Sequence, residues 1–415
     1  MQLVERHIIS KKSSFFTECD NVCLKSKNLY NYANYIIRQV FFITSELKEN
    51  GVVDHATYPN YYDINKLLIA GKQPDYISLP RKVSNQTLMK LDENWKSFFK
   101  AVKDWKKNPS KYKGMPKPPK YLDKNTGRFV AIYELGAIST PELRKNCIVK
   151  LSGTNIKIRT KVPFLDVVQC RIVPKGDHYV IEVVYNKVEK ELKEDNGRYA
   201  AIDLGLNNLA CVVSNVIAPY IVNGRPLKSV NQYYNKEKAK KQSKLAKVNK
   251  GKKSSRKLRK LTSKRNNKID DYMHKASRHI INHLISNGIN TLVVGKNKGW
   301  KQEINIGDKS NQNFVGIPHD RFISMLRYKC KIEGINFIVK EESYTSKCSF
   351  IDSEAIRKHD VYMGKRIKRG LFKSANGTLI NADVNGGLNI LRKAVPTAVF
   401  NGIEVIAVSP RVISL

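Results

Sequence analysis

The stretch from Tyr199 to Ser214 constrains the fold more than any other part of the chain. Its first apolar run predicts a buried strand, Gly205–Asn208 predicts a turn, and the next apolar run predicts a second strand paired with the first. Asp203 lies at the end of the first run, where an unpaired carboxylate would be costly to bury. It is therefore either a turn aspartate or a group that needs a partner or a metal ion.

Two later stretches also carry acidic residues at the ends of predicted elements. Asp383 opens a predicted helix over 383–394, and Glu341 and Glu342 close a predicted strand. Phosphodiester hydrolysis can use two Mg²⁺ ions about 3.5–4 Å apart, which generate the nucleophile and stabilise the leaving oxygen. Because Mg²⁺ prefers carboxylate oxygens, acidic residues of separate elements must then converge. The three stretches together favour a metal-dependent nuclease of the RNase H type.

The charge of the chain points to a polyanionic partner. The formal net charge is +39, from 75 Lys and Arg against 36 Asp and Glu, and a compact chain with this excess repels itself unless a polyanion screens it. Nucleic acid is the natural partner. We find no apolar run of about 18 residues and no signal-peptide pattern, so we expect neither a membrane span nor secretion.

The 415 residues, 41% of them hydrophobic, are enough for two or three domains with real cores. The seven cysteines are scattered and no Cys-x-x-Cys pair occurs. A structural zinc site usually needs four ligands at set spacings. We therefore expect reduced cysteines in a cytosolic protein and no zinc.

The N-terminal part is predicted to combine a β unit with inserted helices. A first strand over 2–9 precedes helices over 15–48, 61–70 and 84–106, the last with Ser84 as a candidate N-cap. A basic, proline-rich connector over 112–121 leads to a series of short strands over 128–188. With the strand over 2–9, these could close one antiparallel barrel.

Aromatic residues beside basic ones in this part are candidate nucleic-acid contacts, because rings can stack on bases. The candidates are Tyr30, Tyr35 and Arg38 in the first helix and Lys120 in the connector. The competing interpretation is that at least half of the tyrosines pack in the core. The connector could equally be a solvated linker.

A basic helical stretch and a β-α-β unit dominate the C-terminal half. From Lys228 to Arg278 there are nineteen Lys and Arg against three acids, which favours a nucleic-acid surface over a merely solvated face and makes Lys264 and Arg265 candidate contacts. Strands over 291–295 and 336–341 flank a loop over 296–313 and a helix over 319–333, which favours parallel pairing. Residues 347–380 are expected to be irregular and basic, with Lys365, Arg366 and Arg369 as candidate contacts, and 396–415 to form a tail.

Three motifs carry a resemblance to a known family. They are Ile202-Asp203-Leu-Gly205, Ser343-Tyr-Thr-Ser-Lys347 and Ala382-Asp383-Val-Asn385 followed by Asn389-Ile390. Each is weak alone, but their order and separation are specific. The chain resembles, over essentially its whole length, the TnpB family of transposon-encoded RNA-guided nucleases, which are related to the miniature type V CRISPR effectors.

The resemblance implies an α/β multidomain protein. It implies a wedge β-barrel over 1–14 and 111–196, an inserted helical recognition domain over 15–110, and an RNase H-like (RuvC) nuclease domain over 197–415 with 347–380 as an inserted target-binding segment. It also implies a guide RNA from the transposon end and cleavage of double-stranded DNA beside a transposon-associated motif. The expected protein is a monomer per guide RNA in the bacterial cytosol or nucleoid.

Two departures from the family pattern affect the site. Gly295 stands where the second catalytic glutamate is usual. Parallel neighbouring strands end on the same sheet edge about 4.8 Å apart, so the strand ending at Glu341 and Glu342 could supply the missing carboxylate. We favour Glu342, with Glu341 as the alternative; both could instead be solvated turn residues. The second departure is the loss of the family's paired Cys-x-x-Cys motifs, of which only Cys348 is left.

The sequence thus predicts an RNA-guided, Mg²⁺-dependent DNA endonuclease with Asp203, Glu342 and Asp383 as metal-binding catalytic residues. A nuclease-dead RNA-guided repressor is the alternative, since Gly295 has replaced an expected acid. A DNA-strand transferase is disfavoured, because no catalytic tyrosine beside a paired-histidine metal motif is visible.

Overall fold

The computed structural model describes residues 1–248, 251, 254–297, 299, 307–400 and 408–415. The chain forms two compact units, residues Met1–Lys187 and Val188–Leu415. Parts of the predicted loop over 296–313 and of the predicted tail over 396–415 lie outside the described residues. The helices and strands of the first unit are β1 Gln2–Ile9, α1 Phe16–Glu49, α2 Tyr61–Ala70, α3 Pro74–Ser78, α4 Arg81–Lys107, β2 Ala131–Glu134, α5 Thr140–Asn146, β3 Ile148–Lys150, β4 Lys157–Arg159, β5 Val167–Pro174 and β6 Tyr179–Asn186.

The first unit contains a four-stranded antiparallel sheet in the order β1-β6-β5-β2. The pairing of β1 with β6 confirms that the N-terminal strand joins the later ones across the helical insertion. β3 and β4 form a separate two-stranded ribbon. Within the described part of the chain no pairing joins β1 to β2, so the closed barrel expected from the sequence is not found.

Helices α1 and α4 pack in the core of the first unit through the apolar stripe of α4. Trp95 is fully buried there, and its Nε1 donates a 3.0 Å hydrogen bond to Asn34 Oδ1 of α1. The prediction of Ser84 as N-cap is wrong, because α4 begins three residues earlier, after Pro80. The Ser84 hydroxyl instead donates to the Tyr76 carbonyl from inside the helix. The start of a helix tolerates proline, because the backbone N–H groups there lack helical partners in any case.

The second unit is a layered α/β structure around a six-stranded sheet in the order β11-β10-β7-β8-β9-β15. Its elements are β7 Tyr199–Leu204, β8 Asn208–Ser214, β9 Tyr220–Asn223, α6 Arg225–Val248, α7 Arg256–Ser286, β10 Thr291–Gly295, α8 Asp308–Val315, α9 His319–Glu333, β11 Asn336–Lys340, β12 Lys365–Lys368, β13 Leu371–Lys373, β14 Leu379–Asn381, α10 Ala382–Ala394 and β15 Arg411–Ile413. The first three strands are antiparallel, whereas β10 runs parallel to both β7 and β11.

The two faces of this sheet are covered by different helices. Side chains alternate between the two faces of the sheet along β7. Ile202 therefore packs in the core that contains the apolar residues of α7 and α9, and Ala201 packs in the core that contains those of α10. The apolar residues Ile269, Ala276 and Ile280 of α7 are buried. The sheet order and the β-α-β crossover confirm the strand pairing predicted from the sequence.

Three segments differ from the expectation of irregular structure. Residues 347–380 contain β12, β13 and part of β14, which form a three-stranded antiparallel sheet with Phe372 buried at its centre. The predicted loop over 296–313 leads into α8, and the predicted tail contributes β15, which pairs in parallel with β9. Among the described residues, no helix has the length and apolar composition that crossing a membrane requires.

Candidate active site

Three predicted carboxylates lie at the ends of elements on one edge of the six-stranded sheet. Asp203 precedes the last residue of β7, Glu342 follows β11 by two residues, and Asp383 is the second residue of α10. Because β7, β10 and β11 run parallel, their carboxyl ends meet at the same edge. The negative charges of Glu342 and Asp383 both act on Asp203. The structure therefore brings all three carboxylates into one cluster.

The missing side chain of Gly295 leaves room for the carboxylate of Glu342. Gly295 pairs with Lys340 at the ends of β10 and β11, as the parallel register predicts. A Cβ atom on Gly295 would lie 2.6 Å from Glu342 Oε2 and 2.5 Å from Ile390 Cδ1. Real Cβ atoms do not approach neighbours so closely. The position next to the cluster that a side chain on β10 would take is thus filled from the neighbouring strand.

Glu341 and Glu342 differ in environment, although they are adjacent in sequence. Glu341 is exposed, and its carboxylate accepts a 2.6 Å hydrogen bond from Lys393 Nζ, which lowers its pKa. Glu342 Oε2 is inaccessible to solvent and has no hydrogen-bond donor among the described residues. Burial, and then the charge of Glu341, raise the pKa of Glu342 to about 7. This contrast identifies Glu342, not Glu341, as the member of the cluster.

Asp203 is held close to the N-terminal part of α10. Burial contributes most to a pKa well above the usual value, followed by the charges of Glu342 and Asp383. A Cβ atom on Gly386 would lie 2.9 Å from Asp203 Oδ2, so any other residue there would force this carboxylate or the helix to move. The sequence pattern of α10 therefore serves the site at two positions, by supplying Asp383 and by leaving space at Gly386.

The Asp383 carboxylate has polar and positively charged neighbours. Asn381 caps the helix by accepting from the Asp383 N–H at 3.0 Å, which fixes the start of α10. Asn208 Nδ2 donates a 2.5 Å hydrogen bond to Asp383 Oδ2, and Arg366 Nη2 lies 3.9 Å from Oδ1. Sequence reasoning did not assign a role to Asn208. The sequence signal was its place as the last residue of the predicted Gly205–Asn208 turn, which follows Asp203.

The carboxylate oxygens of the cluster are suitable ligands for a divalent cation. Carboxylates crowded together oppose one another's ionisation, and the charges of Glu342 and Asp383 add to the effect of burial in raising the pKa of Asp203. Glu342 Oε2 is a buried acceptor without a donor, and an ion would satisfy it. Oxygen ligands from three separate elements are the type that Mg²⁺ prefers. Asp203, Glu342 and Asp383 are therefore the residues that could hold such ions.

A cavity with basic walls opens beside Asp383. It encloses about 520 Å³ and is lined by the Gly205–Asn208 turn, Arg225, Arg366, Arg369 and Asp383. We call it the edge cavity. A planar guanidinium group can donate two hydrogen bonds to two oxygens of one phosphate. A phosphodiester could therefore lie between the arginines and the carboxylates, and Arg225 is a wall residue that the sequence did not indicate.

The turn that carries Glu342 is fastened to α10 by two buried asparagines. Asn385 Nδ2 donates to the Cys348 carbonyl at 2.9 Å, and its Oδ1 accepts from the Phe350 N–H. Asn389 Nδ2 donates to the carbonyls of Thr345 and Cys348. The Thr345 hydroxyl and N–H donate in turn to the Glu342 carbonyl. These hydrogen bonds explain why Asn385 and Asn389 of the third motif matter for the structure.

The segment after the turn is organised around Glu354. This buried carboxylate accepts from the Ser349 N–H at 2.7 Å and from the Met363 N–H at 3.0 Å. Cys348, Glu354 and His359 also place one possible ligand atom each within 4.8 Å of one another. The Cys348 thiol, however, donates to the Ala355 and Arg357 carbonyls. Glu354 thus already holds the segment by hydrogen bonds, and the absence of zinc stays a prediction.

The four predicted contacts of the first unit have different environments. Tyr30 is 4% exposed, packs against Phe129 and accepts a hydrogen bond from Asn94, so its prediction as a base-stacking residue is wrong. Tyr35 is 53% exposed and Lys120 is exposed, as their proposed roles require. Arg38 donates to the Pro119 carbonyl, and its guanidinium lies 5.2 Å from the centre of the Tyr121 ring.

The predicted contacts of the second unit fall into two groups. Lys365, Arg366 and Arg369 are all exposed, and both arginines line the edge cavity. Lys264 is exposed on α7, whereas Arg265 is half-buried and donates to Asn231 and to the Gly316 carbonyl. The hydrogen bonds of Arg265 therefore indicate a structural role, whereas the sequence predicted a contact to nucleic acid. The sequence positions of the two groups do not indicate which of them lies beside the three carboxylates. The fold shows that Arg366 and Arg369 line the edge cavity.

Comparisons with known proteins find two family models and a viral relative that resemble this chain. The family OrfB_IS605, described as a probable transposase, matches residues 181–301, and the Cas12f1-like TNB domain matches residues 319–390. A TnpB-like protein, ORF457 of Acidianus two-tailed virus, is 24% identical over 90% of this chain and 82% of its own length.

Among solved structures, a Cas12f1-sgRNA-target DNA complex is 15% identical, with a TM-score of 0.36 over 94% of this chain and 98% of its own. The mini-RNA-guided endonuclease CRISPR-Cas phi3 is 12% identical, with a TM-score of 0.45 over 95% of this chain and 92% of its own. The two family matches contain Asp203 in one and Glu342 and Asp383 in the other. These likenesses agree with the resemblance to the TnpB family that the three sequence motifs carry.

Proposed function

We propose that this protein is an RNA-guided, metal-dependent DNA endonuclease. The observation that carries the proposal is the convergence of Asp203, Glu342 and Asp383 at one sheet edge, with Glu342 in the space beside Gly295. The strand order, with three antiparallel strands followed by two parallel ones, supports an RNase H-like nuclease of the RuvC type. A protein that had lost nuclease activity would have no need to preserve a buried carboxylate without a hydrogen-bond donor.

Asp203, Glu342 and Asp383 would hold two Mg²⁺ ions, which when bound activate water and stabilise the leaving oxygen. The chain's own groups orient the reactants. Asn208 fixes the Asp383 carboxylate through Oδ2, and Arg366 faces its other oxygen with a positive charge. Arg225 and Arg369 line the same cavity, where they would hold the phosphates of the DNA strand.

A guide RNA is proposed as the partner that selects the target. The net charge of +39 requires a polyanion, and α6 and α7 carry most of the strongest basic stretch. A guide reads most of a target by base pairing, which leaves the protein a short duplex motif to recognise. The complexes named for Cas12f1 contain a guide RNA and target DNA, and we extend both partners to this chain, one protein per guide, in the bacterial cytosol.

The units suggest where each task lies. We assign target-motif recognition to the wedge residues 1–14 and 111–196 and to the helical insertion over 15–110. We assign cleavage to residues 197–415. The exposed Tyr35 and Lys120 in the first unit could contact nucleic acid. The inserted segment 347–380 would contact the substrate strand through Lys365, Arg366 and Arg369.

The test begins with RNA that co-purifies with the protein. It is sequenced, its guide region is replaced, and cleavage of a plasmid with a matching target and randomised flanks is measured in Mg²⁺. The isosteric changes Asp203→Asn, Glu342→Gln and Asp383→Asn should each abolish cleavage and leave guided DNA binding intact. Glu341→Gln is the matched control, since that carboxylate is bonded to Lys393 at the surface.

Two results would oppose the proposal in different ways. Guided binding by the unmodified protein without any cleavage would favour the nuclease-dead repressor. Cleavage that survives Glu342→Gln but not Glu341→Gln would keep the endonuclease and reject the assignment of the glutamate.

A further inference from the structure

A line of residues on α6 leads away from the edge cavity. Arg225 begins the helix and lines that cavity beside Asp383. Ser229 and Tyr233 follow at intervals of four residues, so the three side chains lie on one face of the helix. Leu227 and Asn231, which lie on other faces, are buried. The helix rises 1.5 Å per residue, so Tyr233 lies about 12 Å along its axis from Arg225.

Ser229 and Tyr233 open into a second cavity, between α6 and α7. It encloses about 330 Å³, and its walls include Tyr233, Tyr234, Lys264 and Lys268. We call it the α6–α7 cavity. The Tyr233 ring is 63% exposed, whereas Tyr234 is held by its hydroxyl contact with Thr262. An aromatic surface flanked by cations is the pattern that binds single-stranded nucleic acid.

Hydrogen bonds of Arg265 connect the wall of this cavity to its surroundings. Arg265 Nε donates a 2.8 Å hydrogen bond to Asn231 Oδ1, and its guanidinium lies 5.7 Å from the centre of the Tyr234 ring. Its remaining donors bond the Gly316 carbonyl and Asn266. Lys264 and Lys268 are exposed on α7, one turn apart, so their charges face solvent. A base could enter without rearranging the wall, and adjacent phosphates would meet the two lysines.

We propose that the α6–α7 cavity binds a base of the DNA strand that is cut at the edge cavity, a few nucleotides from the scissile phosphate, stacked on Tyr233. The inference rests on the proposed nuclease function and adds a second contact site to it. Three observations support single-stranded DNA as the occupant: the continuity with the catalytic edge along α6, the exposed ring, and the flanking lysines. Holding the strand at two points would fix which phosphate lies beside the carboxylates.

The test places 2-aminopurine at successive positions of a short single-stranded target, bound to the guide complex in Ca²⁺ so that the strand stays uncut. We expect one position near the cut to be quenched by stacking. Tyr233→Ala should restore its fluorescence and weaken strand binding roughly 10- to 100-fold, whereas Tyr233→Phe should keep both. Gln232→Ala is the matched control, because Gln232 is exposed on α6 outside the cavity.

Salt dependence provides a second measurement. Lys264→Ala and Lys268→Ala should each lower the slope of log affinity against log salt by about one, since each removes one phosphate contact. In Mg²⁺, Tyr233→Ala should raise the half-saturating strand concentration more than it lowers the maximal cleavage rate.

Distinct outcomes separate the two proposals. Normal cleavage with no quenched position, or quenching unchanged in Tyr233→Ala, would overturn the strand site and leave the nuclease intact. Weaker guide RNA binding in Tyr233→Ala with normal strand binding would assign the cavity to RNA and also overturn it. Quenching at one position without any cleavage in Mg²⁺ would support the strand site while rejecting the nuclease.

Discussion

Gly295→Ala is the sharpest test of the relocated glutamate, because it adds one methyl group at the point where the two strands meet. The new Cβ would lie 2.6 Å from Glu342 Oε2 and 2.5 Å from Ile390 Cδ1. Ordinary contacts begin near 3.4 Å. The carboxylate must therefore retreat by about 0.8 Å, and a misplacement of this order at reacting groups costs roughly 10²-fold in rate. Overpacking should cost about 1–3 kcal/mol of folding stability.

The assay is single-turnover cleavage of a guided target at saturating Mg²⁺, with urea unfolding measured in parallel. Gly114→Ala is the control, since a Cβ at Gly114 meets nothing within 4 Å. Gly295→Ala with Ile390→Val removes the methyl group that clashes with the new Cβ, so it should regain stability. It should not regain activity, because the approach to Glu342 remains. Cleavage by Gly295→Ala at the unmodified rate would refute the placement of Glu342.

Three further predictions concern other parts of the chain. Burial and then the charge of Arg278 lower the pKa of Lys329 to about 8. Below pH 8 Lys329 is therefore protonated in both the folded and the unfolded chain, and the folded state bears the full free-energy cost of burying its charge. Stability should rise between pH 8 and the ordinary 10.5, where the unfolded chain binds more protons, and urea unfolding should show that Lys329→Met abolishes this rise. Metal analysis of the purified protein should find no stoichiometric zinc, and Cys348→Ser should leave the melting temperature unchanged; bound zinc would mean that the Cys348, Glu354 and His359 group is a metal site. Exchanging residues 15–110 for those of a relative should change the flanking motif needed for cleavage in a randomised library, and an unchanged motif would place recognition elsewhere.

The sequence was most informative where a local pattern implied a pairing. Strand, turn and strand around Asp203 predicted the β7–β8 pair, and the crossover helix predicted that β10 and β11 run parallel. The shared edge of parallel strands then indicated Glu342 as a replacement for the acid missing at Gly295. Glu341 and Glu342 follow the end of β11, and the structure separates them, because the first is exposed and the second has a buried carboxylate oxygen.

Long-range contacts could not be predicted in the same way. The exposed and buried tyrosines of α1 look alike in sequence, but Tyr30 meets Phe129, which comes almost a hundred residues later. Whether antiparallel strands close into a barrel depends on the pairing of the two edge strands, which no local pattern encodes. The edge cavity is a similar case, because Arg225 and Arg366 come from distant segments and meet only in the folded unit.

The positions of two carboxylates each depend on a glycine of the site. A catalytic carboxylate must lie at a particular position relative to Asp203 and Asp383. Either of the two neighbouring strands can supply it, provided that the carboxylate reaches this position. Glu342 reaches it because Gly295 adds no atoms there, and Asp203 meets α10 because Gly386 adds none either. An acid restored at position 295 would thus collide with Glu342 instead of reinforcing the site. A side chain at position 295 and the observed placement of Glu342 are therefore incompatible in this fold.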